Sequence, residues 1–270
     1  MINRIIRTAA TLGLVGGITA ASWLGLEKSS FALPADQVEK ILQSVPVFTI
    51  VDDKGVPLVA VDEKDKTKKI TGIFINQADA KKFYEQFKKQ NPTLGDKVSV
   101  RLISLGEVYK VAVSFEGKPD ALLFSYIPDP AEVEEAKKIL TANKQTYAGG
   151  VPIFVARGGT DNGYLTVEGK DPQGNALTEI PMFFDLSQLN QMLTSFKQQK
   201  PDLAATIKVE VVPLETVLET LKTSNDTNLS KIVFIPSLDS IKAVQSLQQG
   251  NGSSPSVKTP SPSPSPSGQK

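Results

Sequence analysis

Apolar positions along the chain follow two periods, and one particular switch between them is written twice. Ile73, Phe74 and Ile75 make a continuous run of strand length, after which Ala80, Phe83, Tyr84 and Phe87 recur at i, i+3, i+4 and i+7, one stripe on a helix. Between them Asn76 is a small polar residue whose side-chain oxygen can accept an orphan N–H, and Pro92 ends the helix because it cannot donate the next hydrogen bond. The same order returns as Met182, Phe183 and Phe184, the cap Asp185, the stripe Leu189, Met192, Leu193 and Phe196, and then Pro201. Phe74 and Phe183, Phe87 and Phe196, and Pro92 and Pro201 are each separated by 109 positions.

The correspondence extends past the helix. Val45-Pro46-Val47-Phe48 answers to Val151-Pro152-Ile153-Phe154, and Val98 to Val111 matches Ile207 to Thr220 at the same offset of 109. A last apolar strand closes each copy, Leu122 to Pro128 and Lys231 to Pro236, followed by a helix. A repeat this long is not a solenoid unit. The pattern predicts an α/β (α+β) fold of two internally duplicated units related by a pseudo-twofold axis, over 33–143 and 144–249. Each unit reads helix, three strands, helix, strand, short helix, strand, helix.

Local signals fill in the units. Pro34 to Leu42 and Pro130 to Leu140 read as helices that each precede a Val-Pro strand. Val45 to Val51 and Pro57 to Val61 flank Asp52-Asp53-Lys54-Gly55, a hairpin turn with glycine where positive φ is needed. The second copy has the loop Gly158 to Gly163, the returning strand Tyr164 to Val167 and the turn Asp171 to Asn175, whereas Asp62 to Lys69 is a charged loop. Ser104 and Glu107 fit a capping box opening a helix of one to two turns, and Pro213 suits the matching start.

Both ends depart from this pattern. Arg4 and Arg7, the largely apolar run Thr8 to Leu26, and Ser30-Phe31-Ala32 read as a secretory signal over 1–32, with the mature chain starting at Leu33. An uncleaved anchor is the alternative. From Gly250 the composition turns to Ser, Pro, Gly and Lys, that of a disordered tail over 250–270.

The charges nearly cancel, with 30 Lys and Arg against 29 Asp and Glu, which argues against nucleic acid as a partner. The chain has neither cysteine nor histidine. That excludes Cys-His and Ser-His-Asp nucleophilic sites, imidazole acid/base chemistry, thiolate zinc sites and iron–sulfur clusters. Gly158-Gly159 with Asp161-Asn162-Gly163 lacks the Gly-Lys-Ser/Thr of a phosphate loop. Asp52, Asp53, Asp62, Glu63 and Asp65 lack calcium-loop spacing and are interleaved with Lys54, Lys64 and Lys66. No Asp or Glu sits in an apolar run that would tune it for hydrolysis. The reading is therefore a non-enzyme without cofactor or metal, with a paired-carboxylate hydrolase as a third reading that a buried Asp or Glu pair in a cleft would revive.

The aromatic content carries more. Phe48, Phe74, Phe83, Tyr84 and Phe87 in the first copy, and Phe154, Phe183, Met192 and Phe196 in the second, are the candidate residues for two symmetry-related apolar grooves that bind extended polypeptide. Ordinary core is the competing reading for the same side chains.

The twin Val-Pro strands, Gly72 to Pro92, the segments Val151 to Gly158 and Glu179 to Leu189, and the leader together resemble the twenty-two-kilodalton component of the translocon at the inner chloroplast envelope, in its cyanobacterial form. The resemblance covers about Leu33 to Gln248. It implies a wing-like pseudo-twofold fold with hydrophobic pockets and residence in the periplasm, with the intermembrane space or thylakoid lumen as alternatives. It also implies a chaperone-like carrier of unfolded precursor polypeptides that assists translocation or outer-membrane biogenesis. Barrel-assembly or translocon components and peripheral membrane contact are its further partner expectations. The family supplies no catalytic motif to carry over. The alternative is a structural adaptor of an envelope complex that recognises one folded partner.

Overall fold

The computed structural model describes residues 12–14, 33–61, 68–118, 121–171 and 173–250. The expected tail beyond Gly250, residues 62–67 of the charged loop, and the leader apart from 12–14 lie outside the described residues. Within the expected leader, β1 (Leu12–Leu14) pairs antiparallel with Leu165 to Val167.

The first sheet is built from β2 (Pro46–Asp52), β3 (Ala60–Val61), β4 (Lys69–Phe74), β5 (Val98–Ser104) and β6 (Leu122–Ile127). β5 lies antiparallel to β2 along its full length, β2 meets β4 at Phe48 opposite Phe74, and β6 runs parallel to β4. The second sheet contains β7 (Pro152–Gly158), β8 (Gly163–Lys170), β9 (Ala176–Phe183), β10 (Lys208–Pro213) and β11 (Ile232–Ile235). There β10 lies antiparallel to β7, β7 meets β9 at Phe154 opposite Phe183, and β11 runs parallel to β9.

Strand side chains alternate between faces, so each sheet has an inner and an outer side. The inner sides share one core: Val47, Ile73 and Ile75 from the first sheet pack with Ile153, Val155, Met182 and Phe184 from the second. Helices α1 (Ala35–Leu42), α4 (Leu105–Phe115) and α8 (Leu214–Thr223) contribute Val38, Leu42, Leu105, Val108, Leu214 and Leu221 to it. The outer side of the first sheet carries Phe48, Ile50 and Phe74 beneath α2 (Gln77–Gln90), and that of the second carries Phe154, Ala156 and Phe183 beneath α6 (Leu186–Gln199).

The caps form as the sequence predicts. Asn76 Oδ1 accepts from the Asp79 N–H at 2.8 Å, and Asp185 Oδ1 accepts from the Ser187 N–H at 2.8 Å. Pro92 and Pro201 do more than end helices, since each is the first residue of a short one, α3 (Pro92–Gly95) and α7 (Pro201–Ala204). The Ser104–Glu107 capping box is complete, but it opens eleven residues rather than one to two turns. The additional length carries Val113, partly buried against the shared core. The returning strand after the first hairpin is shorter than expected, two residues plus a bridge from Val51 to Pro57.

Two helices cross between the halves. α5 (Pro130–Ala142) follows the last strand of the first sheet, yet its Ala136 packs into the outer core of the second. α9 (Leu238–Gly250) follows the last strand of the second sheet, yet its Ala243 packs into the outer core of the first. Each half is thus closed by a helix that the chain supplies from beyond the other half's final strand. Among the described residues no helix is long and apolar enough to cross a membrane.

α4 approaches α1 closely at Gly106, where a Cβ would stand 2.6 Å from the Glu39 carbonyl oxygen and 3.1 Å from the Gln43 nitrogen. Gly106→Ala is expected to destabilise the fold by about 1 to 3 kcal/mol despite alanine's better helix propensity, because the opposing atoms are backbone. A urea melt checks this, and unchanged stability would mean that the two helices part at no cost.

Candidate binding surface

Carboxylates come together where α5 meets α6, at Asp129, Glu132 and Asp185, and burial pushes the Glu132 carboxyl up to about 7, against the expectation that no Asp or Glu is tuned by its setting. Among the described residues no group of three or more carboxylates is placed to hold a metal. The ion pairs are surface pairs such as Lys88 with Asp96 at 2.8 Å and Lys137 with Glu134 at 2.7 Å. These contribute little to stability and define no cleft.

The nine candidate residues separate into two groups. Phe48, Phe74, Phe154, Phe183 and Phe196 are buried, which corrects the expectation that they line open grooves. Phe48 and Phe154 lie on strands that pair on both edges and are covered on both faces, and Phe196 is only 1% exposed beneath the second half's outer layer. Tyr84, Phe87 and Met192 are half-buried, and Phe83 is 44% exposed. The expected pair of matched grooves is therefore replaced by an uneven pair of faces.

The unevenness follows from particular side chains. On α6 the stripe Leu189, Leu193 and Phe196 is buried, with Ile139 and Tyr147 packed against the same cluster from α5 and the segment after it. On α2 the position of Leu189 is taken by Ala80, whose methyl is fully buried, and the crossing helix α9 adds Ala243 to the buried cluster. Phe83 is left on the rim, its ring 5.5 Å from that of Phe74 and 6.5 Å from that of Phe87, nearly parallel to the latter at 8°. Tyr84, on the other flank of the stripe, turns away and donates its hydroxyl to the Gly95 carbonyl at 3.3 Å.

The rings of Phe74, Phe83 and Phe87 thus form a supported aromatic ledge on the first half, with the inner ring sealed and the outer ring open to solvent. A ledge of this kind binds apolar side chains by area and by ring stacking, without a directional group to select one sequence.

The first hairpin adds a separate apolar surface absent from the candidate list. Val56, Val59 and Val61 are 57%, 39% and 52% exposed. In the second sheet Thr166 and Glu168, 107 residues later, hold the places that Val59 and Val61 hold in the first.

Comparison with known proteins gives one family. The Tic22-like family profile matches residues 11–248. The chain is 24% identical over 212 residues to Protein TIC 22, chloroplastic, of Pisum sativum, covering 77% of each chain. It is also 24% identical over 232 residues to Protein TIC 22-like, chloroplastic, of Arabidopsis thaliana, covering 82% of this chain and 67% of the relative. Among solved structures, Anabaena Tic22, described as a protein of protein transport, superposes with a TM-score of 0.67 at 24% identity over 79% of this chain and 97% of that one. Tic22 from Plasmodium falciparum superposes with a TM-score of 0.59 at 20% identity, over 79% and 98%. These likenesses establish the mixed α/β fold.

Proposed function

The chain belongs to the Tic22-like family, and from that membership we propose that it is a non-enzymatic factor in protein transport. In this reading it is an ATP-independent carrier that shields apolar segments of unfolded precursor polypeptides between membranes. Translocon or outer-membrane barrel-assembly components are its partners at either end. The reading places it in the periplasm, reached by way of the leader, as the counterpart of the plant relatives described as chloroplastic.

The observation that supports the carrier most is the Phe74, Phe83 and Phe87 ledge on α2. An exposed, ring-supported phenylalanine is stabilised further when an apolar partner covers it, at roughly 25 cal/mol per Å² before the cost of ordering the client. Contacts of that size are weak singly and release without a nucleotide.

We also propose that the two halves descend from one unit by duplication and are related by a pseudo-twofold axis. The offset of 109 held from Phe74 to Val111, the recurring strand pairings and the reciprocal crossing of α5 and α9 support this. After the duplication the first copy kept an open ledge and the second closed its own.

Phe83→Ser tests the carrier reading. Phe83 is a rim residue, so the fold should melt as before while the Kd for a fluorescent unfolded client rises about tenfold or more, the range of an aromatic contact at the centre of an interface. Unchanged affinity would remove the ledge from the account. Undiminished capture of a single folded envelope partner, with no binding of unfolded chains, would favour the adaptor instead.

A further inference from the structure

The first turn of α5 joins the starts of two helices from opposite halves. Asn76 Nδ2, at the cap of α2, donates to Asp129 Oδ2 at 2.8 Å, and the Ala131 N–H donates to Asp129 Oδ1 at 2.8 Å. Three residues on, Glu132 Oε2 accepts from the Leu186 N–H at 3.0 Å, the first amide of α6. Asp185 takes the next two amides, Ser187 at 2.8 Å and Gln188 at 3.4 Å. The α6 N-terminus is therefore closed jointly by its own cap and by a carboxylate from a helix that crosses over from the other half.

Glu132 is half-buried and has no cationic partner among the described residues. The charged groups that face it are all acidic: Asp185 at the start of α6, and Asp129 and Glu135 on α5. Its counterpart at the start of α2 is the contact of the Gln77 N–H with Asp239 Oδ2, at 3.3 Å on an exposed site. Only the α5 joint places its carboxylate in a partly desolvated setting among like charges.

We infer that this joint is an acid-closed latch: protonated Glu132 holds α5 against α6, and its ionisation beside Asp129 and Asp185 loosens α5 over the cluster of Phe183, Leu193 and Phe196. The physical basis is the cost of a charge at that position. Burial pushes the Glu132 carboxyl up to about 7, against the opposing pull of the Leu186 N–H and with the help of Asp185, Asp129 and Glu135.

The sign follows from proton linkage. Loosened, the carboxyl returns toward its ordinary 4.5, so between that value and about 7 the closed state holds a proton that the open state has lost. The closed state is favoured fully below 4.5, and the advantage is lost as pH rises through 7.

Hydrogen exchange of the α6 amides in the full chain, corrected for intrinsic rate and followed from about pH 5 to 8, tests the latch. Wild-type protection should fall by at most about tenfold per pH unit up to 7, less by the screening that half-exposure allows, and then level off. Glu132→Gln stays neutral and still accepts from Leu186, so its protection should not change with pH. Asp185→Asn keeps the cap and removes one facing charge, which should move the wild-type midpoint to lower pH. A flat wild-type profile, a Glu132→Gln profile that falls in parallel with it, or an Asp185→Asn midpoint that does not move would each overturn the latch.

Discussion

Phe196→Ala is expected to destabilise the protein by about 3 to 5 kcal/mol, whereas Phe83→Ala should cost about 1 kcal/mol or less. The two residues belong to corresponding helix stripes, and the sequence alone leaves both between groove and ordinary core. Phe196 is sealed within the cluster of Phe154, Phe183, Leu189 and Leu193, so its removal leaves a cavity that the surrounding core can only partly collapse into. Phe83 already meets solvent on one side and leaves no enclosed space behind. Chemical denaturation of the two variants measures the contrast directly. Equal losses would mean that the ledge is as much core as the second half's cluster.

Ending the chain at Pro236 should undo the first half's outer core rather than the second's. α9 brings buried Ala243 into the first half's outer core, and on the same helix Val244 is buried and Ile241 half-buried. Its Ser240 hydroxyl donates to the Ile75 carbonyl at 2.7 Å in a buried position, and Asp239 closes the first amide of α2. One buried valine contributes about 1.5 to 3 kcal/mol, and the smaller contacts add to it, so the loss approaches the whole stability of an ordinary domain. Exchange protection should vanish first in α2 and β2, although the deleted residues follow the last strand of the other sheet. A truncated chain that melts cooperatively at the wild-type temperature would contradict the crossing of α5 and α9.

What could be read from residues was mainly local. The caps Asn76 and Asp185, the box of Ser104 with Glu107, and the glycine at position 55, whose φ is +83°, act over a few bonds and came through intact. The crossing helices were not legible. The stripe of α5 records that one face is buried and says nothing of which sheet buries it, since either outer face is equally apolar.

The burial of Phe48 and Phe154 did have a signal. Both lie in near-continuous apolar runs, Val45 to Val51 and Val151 to Ala156, which mark strands covered on both faces rather than one side of a groove. The inequality of the two faces had one as well, the exchange of Leu189 for Ala80. Its meaning depended on what each crossing helix places alongside, and that is a property of the assembled fold.

The most direct test of the carrier account is the difference in hydrogen exchange between the free full chain and the chain saturated with an unfolded client. Slowed exchange should concentrate in Gln77 to Gln90, around the Phe83 ledge, with the second half's α6 left unchanged below neutral pH. Client-induced protection confined to the Val56 to Val61 hairpin, or absent from α2 altogether, would contradict it.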